Sequence, residues 1–204
     1  GILYMISELR RHGHESQLID ASSLMLSYDE IMAQVEAFGP DLIGISTMTP
    51  SAPLAYELVR FLKSRIDTPI ALGGVHCNSM KDKVFEECPE VDFVCVGEGE
   101  HIIVELIQAL GDEMALKNVS GICYRDSSGE LVRTPSRSLS MDLDTLDFPA
   151  RAILDHNIYR PLPLSSKRSP VTSMITSRGC PYGKCTFCFE AGNHAFKFRR
   201  HSPE

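Results

Sequence analysis

Short, nearly continuous apolar runs separated by amphipathic stretches of helix length constrain this chain more than any other feature. A strand that is apolar on both faces must be covered on both faces, which calls for a parallel sheet between two helix layers. The runs are Gln17-Leu18-Ile19-Asp20, Asp41-Leu42-Ile43-Gly44-Ile45-Ser46, Pro69-Ile70-Ala71-Leu72-Gly73-Gly74 and Asp92-Phe93-Val94-Cys95-Val96. Between them, helical spacing of apolar residues predicts helices near residues 28–38, 52–65, 80–87 and 99–110. The chain opens without Met and directly in a helical pattern, Ile2, Leu3, Met5, Ile6 and Leu9, so a first strand is expected upstream of Gly1. The expected architecture is an open α/β sandwich.

Composition narrows the function classes. No apolar run approaches the roughly 18–20 residues of a membrane span, and 14 Gly and 12 Pro show no fibrous period. With 20 basic against 27 acidic residues and a net charge of -7, a nonspecific phosphate-backbone binder is disfavoured, although a specific nucleic-acid substrate stays open. The seven cysteines are odd in number and no secretory signal segment precedes them, which fits a reducing cytoplasm better than a disulfide framework. Cys77, Cys88, Cys95 and Cys123 sit in apolar or turn contexts and read as small buried hydrophobes. Cys180, Cys185 and Cys188 crowd into one loop, a pattern that points to metal.

In open parallel sheets, ligands bind beyond the carboxyl ends of the strands. Three turns at that edge stand out: Ser46-Thr47-Met48-Thr49-Pro50, Gly73-Gly74-Val75-His76 and Gly97-Glu98-Gly99-Glu100. Each alone could be a helix cap or a tight turn. Together they describe a smooth, backbone-lined platform for a large flat or extended cofactor, with Ser46, Thr47, Thr49, Gly73, Gly74, His76, Gly97, Glu98 and Gly99 as contacts. His76 reads as a ligand, a base or a hydrogen-bond partner.

Beyond residue 118 the pattern changes. Ser120–Arg125 and Glu130–Thr134 flank a Gly-containing turn and predict a β-hairpin. Residues 135–170 carry five prolines among scattered apolar residues and read as a packed linker, with a domain boundary near 165–170. Val171–Thr176 reads as a strand leading into Cys180-Pro181-Tyr182-Gly183-Lys184-Cys185-Thr186-Phe187-Cys188. Three thiolates on one loop can hold three irons of a cubane cluster and leave the fourth open to bind and reduce a ligand directly. The alternative is a zinc knuckle completed by His194.

These residues resemble the cobalamin-binding radical S-adenosylmethionine (SAM) enzymes over nearly the whole chain. The N-terminal part is similar in Leu9–Glu15, Pro40–Ser46, Gly73–His76 and Gly97–Glu100. Residues 141–163, around Leu143–Arg151, resemble the family connector, and residues 171–204 resemble the start of its catalytic barrel. The resemblance implies a Rossmann-like cobalamin-binding domain over 1–115, a hairpin and connector over 116–168, and the first βα unit of a TIM-type radical SAM barrel over 169–204. It further implies a [4Fe-4S] cluster on Cys180, Cys185 and Cys188, SAM chelating the open iron, and Phe187 beside the SAM adenine. Cluster reduction would then cleave SAM to a 5′-deoxyadenosyl radical, and cobalamin on the platform would most often give a methyl group to the substrate radical. The implied partners are a small-molecule substrate and an electron donor such as flavodoxin or ferredoxin.

Three departures from the family pattern stand beside the resemblance. Four residues, not three, separate Cys180 from Cys185, an interval that Gly183 could absorb by taking positive φ. No Asp-x-His-x-x-Gly signature for a lower cobalt ligand is present. The chain ends at Glu204, before most of a barrel, so this stretch alone is expected to be inactive. The competing class is a noncatalytic cobalamin- or zinc-binding regulatory module.

Overall fold

The computed structural model describes residues 1–139, 142–159, 166, 168, 170–188 and 198–203. The chain divides into two compact units, Gly1–Ser138 and Leu139–Glu204. Among the described residues no helix is long and apolar enough to cross a membrane.

The first unit is built on a five-stranded sheet in the order β1 (Ile43–Ser46), β2 (Ile70–Gly73), β3 (Phe93–Cys95), β4 (Ile122–Arg125), β5 (Leu131–Arg133). The first three strands are parallel, with Ile43 opposite Ile70 and Ala71 opposite Phe93. Side chains alternate across the pleat as a period of two requires. Ile70, Leu72, Val94 and Cys123 enter one core with Tyr56, Val59 and Leu62. Ala71, Phe93, Ile122 and Tyr124 enter the other with Ile102 and Leu106. The two faces are thus covered by different helices, α4 (Ala52–Lys63) on one side and α7 (Gly99–Ala109) on the other.

The helices follow their local signals. Helix α3 (Tyr28–Phe38) begins with a reciprocal capping box, in which the Glu30 N–H donates to Ser27 Oγ and the Ser27 N–H donates to Glu30 Oε2 at 2.8 Å. It stops at Gly39, which is left-handed at φ 62°, followed by Pro40. Helix α4 carries Pro in its first turn, and its apolar spacing buries Tyr56, Val59 and Leu62. Helix α1 (Ile2–Arg11) packs on α7.

Four expectations need correction. Residues 17–20 form no strand. A strand exists only where a neighbour's ladder takes its backbone groups, and no described strand lies beside the outer edge of β1. Asp20 instead caps the short α2 (Ala21–Leu24) by accepting from the Ser23 N–H at 3.1 Å. The sheet is mixed rather than wholly parallel. The hairpin assigned to a connector starting at 116 is β4 and β5, and β4 joins β3 antiparallel with Val94 opposite Cys123. The first compact unit includes this hairpin and runs to Ser138. The helix expected at 80–87 starts earlier, as α5 (Val75–Met80), breaks at Lys81 with φ 54°, and resumes as α6 (Val84–Glu87).

In the second unit, Val171–Thr176 are not a strand. The ladder is two residues long and lies one step further on, with β6 (Ser177–Arg178) antiparallel to β7 (Arg199–Arg200). A helix following the cysteine loop would fall on 189–197, outside the described residues. The connector forms three 3-10 turns at Leu143–Thr145, Arg151–Ile153 and His156–Ile158. Asp144 accepts from the Ser202 N–H at 3.0 Å and His201 Nδ1 at 3.1 Å, which hold its carboxyl below the ordinary aspartate value.

Candidate functional site

The carboxyl ends of β1, β2 and β3 come together as one backbone-lined edge. Ser46 is the last residue of β1, and the Thr47 N–H following it donates to Gly73 O at 2.8 Å. Thr47 O in turn accepts from the His76 N–H at 3.2 Å, tying the first turn to the start of α5. Gly74 lies where these bonds cross. Its φ is 97°, and a Cβ there would stand 2.6 Å from Thr47 O and 2.9 Å from Thr47 N, so only glycine permits the closure. The Gly97 N–H donates to Asn78 Oδ1 at 2.7 Å, which fastens the third turn to α5. Glu98, half-buried, occupies the N-cap position of α7 and Gly99 its first residue.

The structure therefore groups Ser46, Thr47, Thr49, Gly73, Gly74, His76, Gly97, Glu98 and Gly99 along one sheet edge, but with different exposures. Ser46, Thr49 and Gly97 are exposed, whereas Thr47 is 0% and His76 4% exposed. His76 was expected in a turn; it is the second residue of α5, bonded to Tyr56 and Thr49. The exposed side chains Met48 and Val75 add apolar surface to these turns. Asn78 is the site residue that sequence reasoning missed. Its signal was an amide side chain inside a helix, a residue type that prefers to bond nearby backbone.

Whether this edge suits a corrinoid can be judged from its polar groups. Thr47 Oγ1 is buried and has no hydrogen-bond partner among the described residues. Such a hydroxyl costs about 1–3 kcal/mol when left unmade, and a bound molecule carrying amides would satisfy it. Corrinoids carry a rim of carboxamides around an apolar ring, matching hydroxyls and backbone groups beside Met48 and Val75. Burial pushes the Cys77 and Cys95 thiols up to about 12. Cys77, Cys88 and Cys123 are buried and Cys95 half-buried, in keeping with their reading as small hydrophobes.

The second candidate site is the loop after β6. Cys180, Cys185 and Cys188 are all free and half-exposed. Gly179 and Gly183 take φ of 83° and 56°, so Gly183 adopts the positive φ expected to absorb the four-residue interval. The Cys188 N–H donates to Cys185 O at 3.2 Å, curling the chain so that the last two cysteines leave one turn. Among the described residues, no three His, Cys, Asp or Glu side chains converge as a single metal ion requires. A zinc ion needs all its ligands at about 2.0–2.3 Å from one point, whereas a cubane takes each thiolate to its own iron. His194, the fourth ligand of the zinc alternative, lies outside the described residues. Phe187 is 91% exposed, a bare aromatic face next to Cys188.

Comparison with known proteins identifies the family. Residues 1–107 match the family model described as B12 binding domain. The chain is 29% identical to an uncharacterized methyltransferase of Pyrococcus horikoshii, aligning over 100% of its own length and 43% of that protein. It is 31% identical to the anaerobic magnesium-protoporphyrin IX monomethyl ester cyclase of Rubrivivax gelatinosus, over 92% of this chain and 34% of that one. Among solved structures it is similar to the cobalamin-dependent S-adenosylmethionine radical enzyme OxsB with aqua-cobalamin and S-adenosylmethionine bound. That match has a TM-score of 0.79 and 27% identity, and covers 98% of this chain and 27% of the other. The chain thus spans less than half the length of these relatives. With residues 1–107 matching a B12-binding domain and a similar solved structure holding aqua-cobalamin and S-adenosylmethionine, the chain belongs to the cobalamin-binding-domain radical SAM enzyme family.

Proposed function

We propose that this chain carries the two cofactor sites of an enzyme that transfers a methyl group to an unactivated carbon of a small molecule. Cobalamin is held on the edge formed by the ends of β1, β2 and β3. A [4Fe-4S] cluster is held by Cys180, Cys185 and Cys188, with SAM on the remaining iron and its adenine beside Phe187. The observation that carries the reading is the unpartnered, buried Thr47 hydroxyl on an edge whose other groups are backbone atoms drawn together at Gly74. The relatives are named as methyltransferases and as cyclases, and methyl transfer is the reading proposed.

When bound, the cluster supplies the electron that cleaves SAM, and cobalamin supplies the methyl group. The chain's own residues bind and orient. Thr47 and Ser46 present oxygen atoms at the end of β1, and Gly73, Gly74 and Gly97 allow close backbone approach with no side chain in the way. Asn78 keeps the Gly97 turn in register with α5. The half-exposed cysteines leave one side of their loop open to SAM and to an electron donor of the flavodoxin or ferredoxin kind. Free thiols and an oxygen-sensitive cluster fit a cytoplasmic setting.

Titration of the chain with hydroxocobalamin, followed by absorbance after gel filtration, is expected to leave one corrinoid per chain. Thr47→Val, which keeps the shape and removes the hydroxyl, is expected to weaken binding about threefold to tenfold. No retained corrinoid on the folded chain would overturn the cobalamin reading.

A further inference from the structure

The cysteine loop starts from a very short ladder. Ser177 pairs with Arg200 and Arg178 with Arg199, and the His201 N–H donates to Thr176 O at 2.9 Å beyond them. Gly179 alone separates β6 from Cys180, so the position of β6 sets the direction in which the Cys180 thiol leaves the chain. Cys185 and Cys188 are arranged differently. The Cys188 N–H donates to Cys185 O at 3.2 Å, a turn that closes on itself without β6. A two-stranded ribbon is marginal by itself, and one of two residues per strand needs outside support to keep β6 in place.

The connector supplies that support on both sides of the ladder. On the β7 side, the Ser202 N–H donates to Asp144 Oδ1 at 3.1 Å and Oδ2 at 3.0 Å. His201 Nδ1 lies 3.1 Å from Asp144 Oδ1 and is the donor there, because a carboxylate only accepts. On the β6 side, Arg151 Nη2 donates to Ser173 O at 2.5 Å and its Nε to Thr172 Oγ1 at 3.4 Å. Asp144 is itself fixed. Its own N–H donates to Asp142 Oδ1 at 2.9 Å within the turn Leu143–Thr145, and the adjoining Leu143 is fully buried. An exposed Asp–His pair alone would hold little, so the weight falls on the charge-assisted bonds from the Ser202 backbone.

We propose that Asp144 is a positioning residue for the iron–sulfur cluster. By holding His201 and Ser202 it keeps β7 against β6 and so aims the Cys180 thiolate at its iron, while Arg151 braces the chain that leads into β6. This rests on the cluster reading above. It adds that the three cysteines are not equivalent: Cys180 depends on the connector, whereas Cys185 and Cys188 depend on their own turn. It also makes an aspartate far from the cysteines in sequence a determinant of how well the cluster is held.

Two measurements on the 204-residue chain test it. Before reconstitution, alkylation by iodoacetamide is followed cysteine by cysteine with mass spectrometry. In Asp144→Ala the Cys180 rate is expected to rise about threefold to tenfold, with Cys185 and Cys188 at their wild-type rates. Cys77, Cys88 and Cys123, buried in the first unit, are expected to stay unreactive, which reports that this unit is folded. Equal acceleration of all three loop cysteines would make Asp144 a general support of the second unit and overturn the proposal, as would an unchanged Cys180 rate. After anaerobic reconstitution, Asp144→Ala is expected to retain about a third or less of the wild-type iron and sulfide. Asp144→Asn, whose side-chain oxygen still accepts from the Ser202 N–H, is expected to stay close to wild type. Wild-type iron and sulfide in Asp144→Ala, against about four of each in wild type, would contradict the positioning role alone. A wild-type chain that takes up no iron and sulfide would instead overturn the cluster reading, and the positioning role with it.

Discussion

Replacing Cys185 by alanine is expected to abolish cluster assembly and to leave corrinoid binding at its wild-type level. In a site-differentiated cubane each of three thiolates holds one iron, and the fourth iron is kept for SAM. Alanine offers no donor in place of the middle thiolate. The flanking residues cannot substitute, since Lys184 carries no thiolate and no described carboxylate or imidazole groups with the other two cysteines. Cys185 also accepts the Cys188 N–H through its backbone oxygen, a bond that alanine keeps, so the loop is expected to retain its turn. The platform lies in the Gly1–Ser138 unit and the loop in Leu139–Glu204, which is why one site is lost without the other. After anaerobic reconstitution, wild type is expected to hold about four irons and four sulfides, and Cys185→Ala to fall to background. Full iron and sulfide in the variant would remove Cys185 from the ligand set.

Gly74→Ala is expected to cost about 2–4 kcal/mol of stability and to prevent corrinoid binding under conditions where the protein remains folded. Two penalties coincide at this residue. The backbone at φ 97° and ψ -176° belongs to a region essentially restricted to glycine. The added methyl carbon would stand 2.6 Å from Thr47 O, a main-chain atom engaged with the His76 N–H. Backbone cannot rotate away as a flexible side chain can, so the β1 and β2 turns must separate, and Thr47 and His76 move with them. By contrast, a methyl group at Gly73 would meet only Cys95 Cβ at 3.7 Å, an ordinary contact, and Gly73→Ala is the control for the stability change alone. Urea unfolding followed by circular dichroism, together with hydroxocobalamin titration, separates the two variants. Equal stability of Gly74→Ala and wild type would contradict the close approach.

Much of the first unit was legible because its signals are local. The near-continuous apolar runs at 43–46, 70–73 and 93–95 read as strands of a parallel sheet, and Ser27, Glu30, Gly39 and Pro40 delimit α3 without help from the rest of the fold. The errors arose where pairing or packing at a distance decides. Leu18 and Ile19 have strand composition but no ladder to join. The hairpin was visible as a hairpin, yet its docking against β3 depends on Val96 N–H reaching Gly121 O across the sheet, which no short window reveals. The Gly73-Gly74 pair looked like the middle of a turn and proved to join the last residue of β2 to the N-cap of α5, which buried His76 against a tyrosine twenty residues earlier in the chain. The cysteine loop needed no tertiary information, since the spacing of its thiols lies within a single stretch of chain.

Iron, sulfide, zinc and cobalt content of the chain, purified without oxygen and reconstituted with iron, sulfide and hydroxocobalamin, tests both cofactors in one preparation. About four irons, four sulfides and one cobalt per chain is the expected result. One zinc without sulfide would make Cys180, Cys185 and Cys188 a structural metal site, and would contradict the assignment of this chain to radical chemistry.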